Sequence, residues 1–280
     1  MRLNGTGLRI AVIGTVVCTI IAGYGALGIC AQTGAAGWVS LFNGTSLDGW
    51  DGRSDVWKVE NGAITGQTLG GPTSVTDSTY IFWKGGEPAD FELKAEIRTE
   101  GEHVNSGIVY RGYVVPPPAG RGGSGRGASG ASGRGGVAAA PGGPSGRGGR
   151  GRGPGNGPYL LAGPQLDIDG ANRYSGQYYE IASPFGLLVH RGQVVETGGS
   201  QPETVARFGD DKTLSAFVKA GDWNQYRVIA HGNTLINLVN DHVMSIVVDR
   251  DSKARTKGLL AFQIEGLGKV QIRNISLRMD

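Results

Sequence analysis

The chain has 280 residues, 51 of them glycine, and a formal net charge of +3. The positive charge is local, because two arginines lie near the N-terminus, six lie in one glycine-rich stretch, and neither region contains an acidic residue. Without these eight, 19 of the 27 basic residues remain against 24 acidic ones. The body is therefore mildly acidic, which disfavours nucleic-acid binding. The only cysteines, Cys18 and Cys30, exclude a disulfide, a thiol nucleophile or cysteine metal ligands in the body.

The N-terminal residues predict an export signal. Arg2 and Arg9 precede an apolar run over residues 10–29 that ends in small residues. We interpret residues 1–31 as a signal peptide cleaved after Ala31, with an uncleaved N-terminal anchor as the alternative. Both interpretations place the body in the periplasm or outside the cell, with no part of the body itself expected in a membrane.

Strand patterns dominate from Trp38 onward. The segment DFELKAEIRT, residues 90–99, alternates apolar and charged side chains with a period of two, which is typical of a strand with one buried face. The closing segment 258–279 predicts two strands around a turn at Glu265–Gly268, with a bulge or bend near Asn274. Many short β-rich runs separated by turn residues, without βα alternation, predict an antiparallel sandwich.

A glycine- and arginine-rich stretch interrupts this pattern over residues 112–158. It contains almost no large apolar side chain, so it cannot bury enough surface to offset its chain entropy, and we predict a disordered surface insert. Its Arg-Gly-Gly repeats are similar to RNA-binding tails, but export makes RNA a poor partner. We therefore favour a tolerated loop, with adhesion to an anionic cell-surface polymer left open. We predict a single domain over residues 38–280, in which strands before and after the insert form one sandwich.

Two strand segments carry candidate ligand-binding side chains. On an extended strand, Asn105 and Arg111 share one face with Gly107, where the missing side chain leaves room for close approach. Both side chains are candidates to donate hydrogen bonds to a ligand, although a solvated polar pair is the simpler interpretation. Trp50 and Trp57 are expected to pack in the core, with stacking on a sugar ring as the alternative.

The segment GPQLDID is the strongest candidate for chemistry. Gln165, Asp167 and Asp169 alternate with apolar residues, so the three polar groups lie on one face of a strand. Carboxylates two residues apart lie roughly 6.5–7 Å from each other along a strand. That separation suits acid/base work or a hard cation, whereas a polar outer face beside a turn is the alternative. Tyr179 and Glu180 follow a turn, so a neighbouring strand is expected to bring Glu180 close to this group.

The four histidines, His103, His190, His231 and His242, show no zinc-binding spacing. His190 follows the acidic segment and is the best histidine candidate for a base, although a lone strand histidine is more often a bystander. The chain has no nucleophile elbow and no phosphate loop. No metal site is assigned from the residues, and a divalent cation is the only cofactor left open.

Several blocks in this order resemble the 3-keto-disaccharide hydrolase family (3-keto-glucoside 1,2-lyase/3-keto-2-hydroxy-glucal hydratase). The more specific are NSGIVYR and GDWNQYRVIAHG; LFNGTSLDGW, GPQLDID, SGQYYE and the closing segment also match. The resemblance covers about residues 38–280 apart from the insert. It implies an antiparallel jelly-roll sandwich of the concanavalin A-like lectin/glucanase type. One departure is Glu265, which stands where many relatives place a histidine.

The resemblance also implies a reaction on a glycoside oxidised at C3. A base removes the acidified C2 proton, the C1 oxygen leaves, and water adds to the resulting enone, giving net hydrolysis. Within this scheme Asp167 or Glu180 is the expected base or cation ligand and His190 an additional proton carrier. The expected substrate-binding residues are Asn105, Arg111, Gln165, Asp169 and Tyr179. The alternatives are a non-catalytic carbohydrate-binding module and an envelope protein anchored by its arginine-rich loop.

Overall fold

A computed structural model of the chain describes residues 37–68, 78–115, 151–152, 158–182 and 188–280. All of them belong to one compact unit, Ala31–Asp280. The predicted signal segment 1–31 and residues 116–150 and 153–157 of the predicted insert lie outside the described residues. No helix among the described residues is long and apolar enough to cross a membrane.

The described residues form two β-sheets and a single α-helix, α1 (Asp211–Ser215). The large sheet has ten strands in the spatial order β13-β12-β16-β15-β14-β6-β18-β4-β3, with β1 paired to β18. Its strands are β1 (Val39–Ser40), β3 (Trp57–Glu60), β4 (Ala63–Thr68), β6 (Phe91–Glu100), β12 (Gln193–Glu196), β13 (Glu203–Arg207), β14 (Asn224–His231), β15 (Thr234–Val239), β16 (His242–Val248) and β18 (Gly268–Met279).

The small sheet has eight strands in the order β11-β10-β9-β7-β17-β5-β2, with β8 paired to β9. Its strands are β2 (Trp50–Gly52), β5 (Thr79–Trp83), β7 (Asn105–Val115), β8 (Gly151–Arg152), β9 (Pro158–Asp169), β10 (Tyr178–Ile181), β11 (Leu188–Val189) and β17 (Leu259–Glu265). All described strand pairs are antiparallel except β12 with β16. The predicted all-β jelly-roll sandwich is confirmed.

The core lies between the two sheets and follows the alternation read from the sequence. Phe91, Leu93, Ala95 and Ile97 of β6 are buried in the main hydrophobic cluster. The small sheet contributes Ile108, Tyr110, Leu166, Ile168, Tyr178, Phe262 and Ile264 to the same cluster. The intervening residues of β7, β9 and β17 therefore point to the other face, which we call the outer face of the small sheet.

The turns between strands lie at the Asn, Asp and Gly residues that the sequence pattern predicts. Asn240 and Asp241 both have positive φ angles, 49° and 63°, in the two-residue turn between β15 and β16. Asn61 (φ 50°) and Gly62 (φ 76°) form a similar two-residue turn between β3 and β4. Such turns match the twist of a hairpin, and Asn, Asp and Gly tolerate left-handed backbone. The predicted irregularity at Asn274 is confirmed as a register shift between β18 and β6, where Asn274 has φ 51°.

The chain closes the domain across the predicted insert, since β7 pairs with β9. The predicted boundary at residue 112 was wrong. Residues 112–115 continue β7, because Tyr113, Val114 and Val115 are good strand formers, and residues 151–152 pair with the start of β9. Trp50 and Trp57 are both buried in the core, as expected.

Candidate active site

Three neighbouring strands of the small sheet place polar side chains on its outer face. Gly107 of β7 lies between Asp167 of β9 and Gln263 of β17 in one cross-strand row. In the next row Asn105 lies between Asp169 and Glu265. Residues directly opposite in a sheet point to the same face. The register therefore places Asn105 beside the acidic strand β9 and on the same face as its aspartates, as the sequence predicts.

Two glutamines form a hydrogen-bonded chain over this face. Gln165 donates from Nε2 to Gln263 Oε1 at 2.6 Å, and Gln263 donates from Nε2 to Ser78 Oγ at 2.8 Å. Ser78 in turn donates to Glu265 Oε2 at 2.7 Å. This chain fixes the Glu265 carboxylate at the end of β17. The amide hydrogens of both glutamines serve the protein itself, which suits a positioning role.

The hydrogen-bonded chain of glutamines requires a glycine at position 107. A Cβ atom at that position would lie 1.9 Å from Gln165 Nε2, so any larger residue displaces the glutamine. The sequence pattern predicted that another group approaches closely in the free space over Gly107. That group is the side chain of Gln165.

Asp167 is a buried carboxylate, with 4% of its surface exposed. Within the described part of the chain, no hydrogen bond reaches its carboxylate oxygens. Burial raises its pKa well above the ordinary value, and the negative charges of Asp169 and Glu265 raise it further. A buried carboxyl group with a raised pKa is a stronger base than an exposed aspartate, which makes Asp167 the strongest candidate for proton transfer.

Tyr179 shares this face, because it pairs with Gln165 across β10 and β9. Its phenol is half-buried, and its pKa is raised first by burial and then by the charges of Asp167 and Glu265. The phenol therefore stays protonated and able to donate a hydrogen bond. Asn105 contributes a buried side-chain oxygen that has no hydrogen-bond partner among the described residues. A buried polar atom without a partner is rare in folded proteins, which makes this oxygen a candidate acceptor for a hydrogen bond from a ligand.

Asp169 differs from Asp167 although the two lie on the same strand face. Its side chain is fully buried and accepts three hydrogen bonds from one residue, Arg173. The backbone N–H and Nε of Arg173 bind Oδ2, and Nη2 binds Oδ1 at 2.8 Å. Asp169 is thus committed to holding the turn after β9. Its predicted role in substrate binding stays a prediction.

The structure contradicts the expectation that Arg111 shares a face with Asn105. A register shift between Val109 and Tyr113 breaks the alternation, and Arg111 itself has φ 48°. Its guanidinium is buried against two loops. It donates to the carbonyl oxygens of Ala89 and Gly232 and to Asp90 Oδ1, over distances of 2.7 to 3.0 Å. Arg111 therefore joins loops and does not face Asp167.

Glu180 also lies away from Asp167, contrary to the expectation that the hairpin would bring them together. It pairs with Pro164, one position out of phase with Tyr179, and so points to the opposite face of the small sheet. There it lines a cavity of about 270 Å³ with Tyr113, Asp249 and Arg255. The guanidinium of Arg255 lies 4.6 Å from the centre of the Tyr113 ring. We call this space the Glu180 cavity.

His190 follows β11 and is exposed. Its backbone N–H donates to Gln193 Oε1 at 3.0 Å, and its carbonyl accepts from Gln193 N at 3.2 Å. Among the described residues, the His190 ring forms no hydrogen bond or ion pair with Asp167. The predicted role of His190 as a proton carrier gains no support from this position and stays a prediction.

The family of the chain follows from a direct match. Residues 37–278 match the profile described as a 3-keto-alpha-glucoside-1,2-lyase-like domain. The chain belongs to this family. Membership supports a carbohydrate-active protein, and the resemblance read from the sequence is confirmed.

The solved structures that match the chain are distant from it in sequence. A candidate glycosyl hydrolase from Parabacteroides distasonis is 17% identical, with 86% of this chain and 93% of that chain covered and a TM-score of 0.46. The carbohydrate binding module CBM66 from Bacillus subtilis is 8% identical over 82% and 95% of the two chains, with a TM-score of 0.43. The β-glucanase of Bacillus licheniformis is 9% identical over 89% and 100%, with a TM-score of 0.44. No curated protein matches the chain.

Among the described residues, no group of three or more His, Cys, Asp or Glu side chains is arranged to hold a metal ion. Asp169 is held by Arg173, and Glu265 accepts hydrogen bonds from Ser78 and Gln263.

The sequence pattern alone did not reveal the contribution of β17. Gln263 and Glu265 alternate with the buried Phe262 and Ile264, so the pattern did carry a polar face. Only the pairing of β17 with β7 shows that this face lies beside Asp167. Glu265, noted from the sequence as a departure at a histidine position, is one of the two charges that raise the pKa of Asp167.

Proposed function

We propose that this protein cleaves glycosides oxidised at C3, with Asp167 as the base that removes the C2 proton. The observation that carries the proposal is the buried carboxylate of Asp167, which has a raised pKa and lies on a polar sheet face in a lyase-like domain. A base for this reaction must be stronger than an ordinary aspartate, because the C2 proton is only weakly acidic even beside a carbonyl.

The reaction proceeds by elimination and hydration. Asp167 takes the C2 proton, the electron pair forms the C1–C2 double bond, and the C1–O bond breaks. The departing oxygen takes up a proton, and water then adds across the enone to complete net hydrolysis. Tyr179, on the same face, can donate a hydrogen bond either to the enolate oxygen at C3 or to the leaving oxygen.

The remaining side chains position these two groups. The buried oxygen of Asn105 would accept a hydrogen bond from a sugar hydroxyl, which supplies the partner that it lacks among the described residues. Gln165, Gln263 and Ser78 hold Glu265, whose charge keeps Asp167 basic. Glu180 lies on the other face of the sheet, so the choice between the two carboxylates left open by the sequence is resolved in this proposal in favour of Asp167.

Carbohydrate binding without turnover is the second candidate, and the Glu180 cavity favours it. Its volume of about 270 Å³ is slightly under the range of roughly 300–1,000 Å³ that is typical of sites for drug-sized ligands, so a single sugar ring suits it. Tyr113 supplies an aromatic wall, and Glu180 and Asp249 supply acceptors for hydroxyl groups.

The decisive experiment incubates the protein with 3-keto-trehalose or 3-keto-lactose and follows the released sugar by NMR. Wild type, Asp167→Asn and Glu180→Gln are compared, with sugar binding measured in parallel by calorimetry. Turnover that is lost in Asp167→Asn and kept in Glu180→Gln supports the lyase. Binding without turnover in wild type, abolished by Glu180→Gln, supports the binding protein.

We further propose that the protein is exported, from the charge and apolar pattern of residues 1–31. Fractionation of cells that express the full chain tests this, because a body retained in the cytoplasm contradicts it.

A further inference from the structure

The strand at one end of the large sheet is exposed along its whole length. Every residue of β13, Glu203–Arg207, is exposed, including Val205 at 47%. The strand pairs with β12 on one side only, and no described strand lies on its other side. Phe208, which follows it, is 43% exposed. The opposite edge strand of this sheet, β3, begins instead with the buried Trp57.

The charged residues of β13 also differ from those elsewhere on the large sheet. Glu92 of β6 binds Arg227 and Arg278, and Glu96 binds Arg273. By contrast, Glu203 and Arg207 have no ion-pair partner among the described residues.

A bulge sets the centre of this strand apart from β12. Val194 and Val195 of β12 pair with Ala206 and Thr204, so Val205 between them is the bulged residue. Val205 is therefore not used in pairing with β12.

The order of these residues is self-complementary. If two copies of β13 pair antiparallel about a two-fold axis at Val205, Glu203 of each copy falls opposite Arg207 of the other. Thr204 then falls opposite Ala206, and Phe208 falls opposite Pro202. Opposite charges and apolar side chains directly across a ladder stabilise the pairing, and a two-fold axis makes each contact occur twice.

We propose that β13 joins two copies of this protein edge to edge, which continues the large sheet from one copy into the other. The sign pattern Glu203 to Arg207 favours a second copy over an unrelated partner, because it complements itself in this one register. An unprotected edge strand otherwise invites uncontrolled association, which a closed two-fold pair prevents. The contact is short, and interfaces well below about 1,200 Å² are weak, so the dimer is expected to form only at high protein concentration.

Sedimentation velocity over a concentration series tests the proposal. Wild type is expected to shift from monomer to dimer as concentration rises. Glu203→Arg places arginine opposite arginine and Arg207→Glu places glutamate opposite glutamate, so each is expected to weaken the dimer by at least about tenfold. The double variant Glu203→Arg/Arg207→Glu restores opposite charges and is expected to regain wild-type association.

Three outcomes overturn the proposal. They are a monomer at every concentration in wild type, single variants that associate like wild type, and a double variant that stays as weak as the singles. A general effect of surface charge is controlled by Glu87→Arg, the same change at an exposed residue outside β13, which is expected to leave the dimer unchanged. Circular dichroism confirms that each variant is folded.

Discussion

Two regions on opposite faces of the small sheet give a carboxylate different surroundings. Asp167 on the outer face is buried, accepts no hydrogen bond from the described residues, and has a raised pKa. Glu180 on the other face lines an open cavity beside Asp249 and Arg255. The adjacent residues Tyr179 and Glu180 point to these two regions by strand alternation alone. Strand phase therefore decides which of the two regions each of these side chains faces.

The largest expected effect is the loss of kcat when Asp167 is replaced. Asp167→Asn removes the base while it keeps the shape of the side chain, and general-base catalysis contributes roughly 10²–10⁴-fold. We expect kcat on a 3-keto-glycoside to fall by at least about 100-fold. Steady-state kinetics measure this, and a variant that retains more than half of the wild-type kcat contradicts it.

The next effect concerns Arg111, which the structure assigns to the scaffold. Arg111→Leu leaves the carbonyl oxygens of Ala89 and Gly232 without their side-chain donor and removes one of the two donors to Asp90 Oδ1, so the free energy of unfolding is expected to fall by about 2–3 kcal/mol. The kcat of the folded fraction stays unchanged. Urea denaturation compares it with Arg250→Leu, which removes an exposed ion pair and is expected to cost at most about 1 kcal/mol. A raised KM at unchanged stability would instead place Arg111 at the substrate.

A third effect concerns the space over Gly107. Gly107→Ala pushes Gln165 away from Gln263, so the protein is expected to lose about 1–3 kcal/mol of stability from overpacking. Its kcat falls as well, because Glu265 loses its support. Gly199→Ala is the matched control, since a Cβ there meets only one atom, at 3.6 Å. Equal melting temperatures for the two variants would show that the glutamine chain does not depend on Gly107.

A smaller effect appears in the pH dependence of stability. An unfolded aspartate titrates at about 3.9, whereas the pKa of native Asp167 lies well above its ordinary value. Between these two pH values the native state keeps a proton that the unfolded state has lost. Asp167 therefore contributes stability at low pH that is lost as pH rises, by up to about 1.4 kcal/mol per pH unit.

Asp167→Asn is expected to remove this loss of stability with rising pH, because asparagine does not titrate. The variant and wild type are expected to be equally stable below pH about 3.9, and the variant gains relative to wild type as pH rises toward the native pKa of Asp167. Urea denaturation at a series of pH values measures the difference. Two parallel stability curves would show that Asp167 titrates normally.

The smallest effect is expected at Glu180. Glu180→Gln alters a residue outside the Asp167 region, so kcat should change by less than about 3-fold, well under the contribution of a general base. Binding of a simple sugar to the Glu180 cavity, measured by NMR, is expected to weaken. A loss of kcat as large as that of Asp167→Asn would end the separation between the two regions.

Much of the fold was readable from the sequence, because strand alternation and turn residues act locally. The buried residues of β6, the turn Asn240-Asp241 and the irregularity at Asn274 all follow from the sequence pattern. The shared face of Gln165, Asp167 and Asp169 follows from the same alternation.

The misplaced residues depend on features that the pattern does not carry. Arg111 was misplaced because one register shift after Val109 inverts the alternation. Glu180 was misplaced because a hairpin brings strands together but does not bring neighbouring residues to one face. The pairing of Glu265 beside Asn105 joins strands far apart in sequence, which composition and spacing do not indicate.

Proton exchange at C2 tests the central claim most directly. A 3-keto C-glycoside cannot lose its C1 substituent, so in D₂O its C2 proton reports abstraction alone, followed by ¹H NMR. Wild type and Glu180→Gln are expected to exchange this proton, and Asp167→Asn is expected to lose exchange by at least about 100-fold. Exchange by Asp167→Asn at the wild-type rate would show that another group removes the proton.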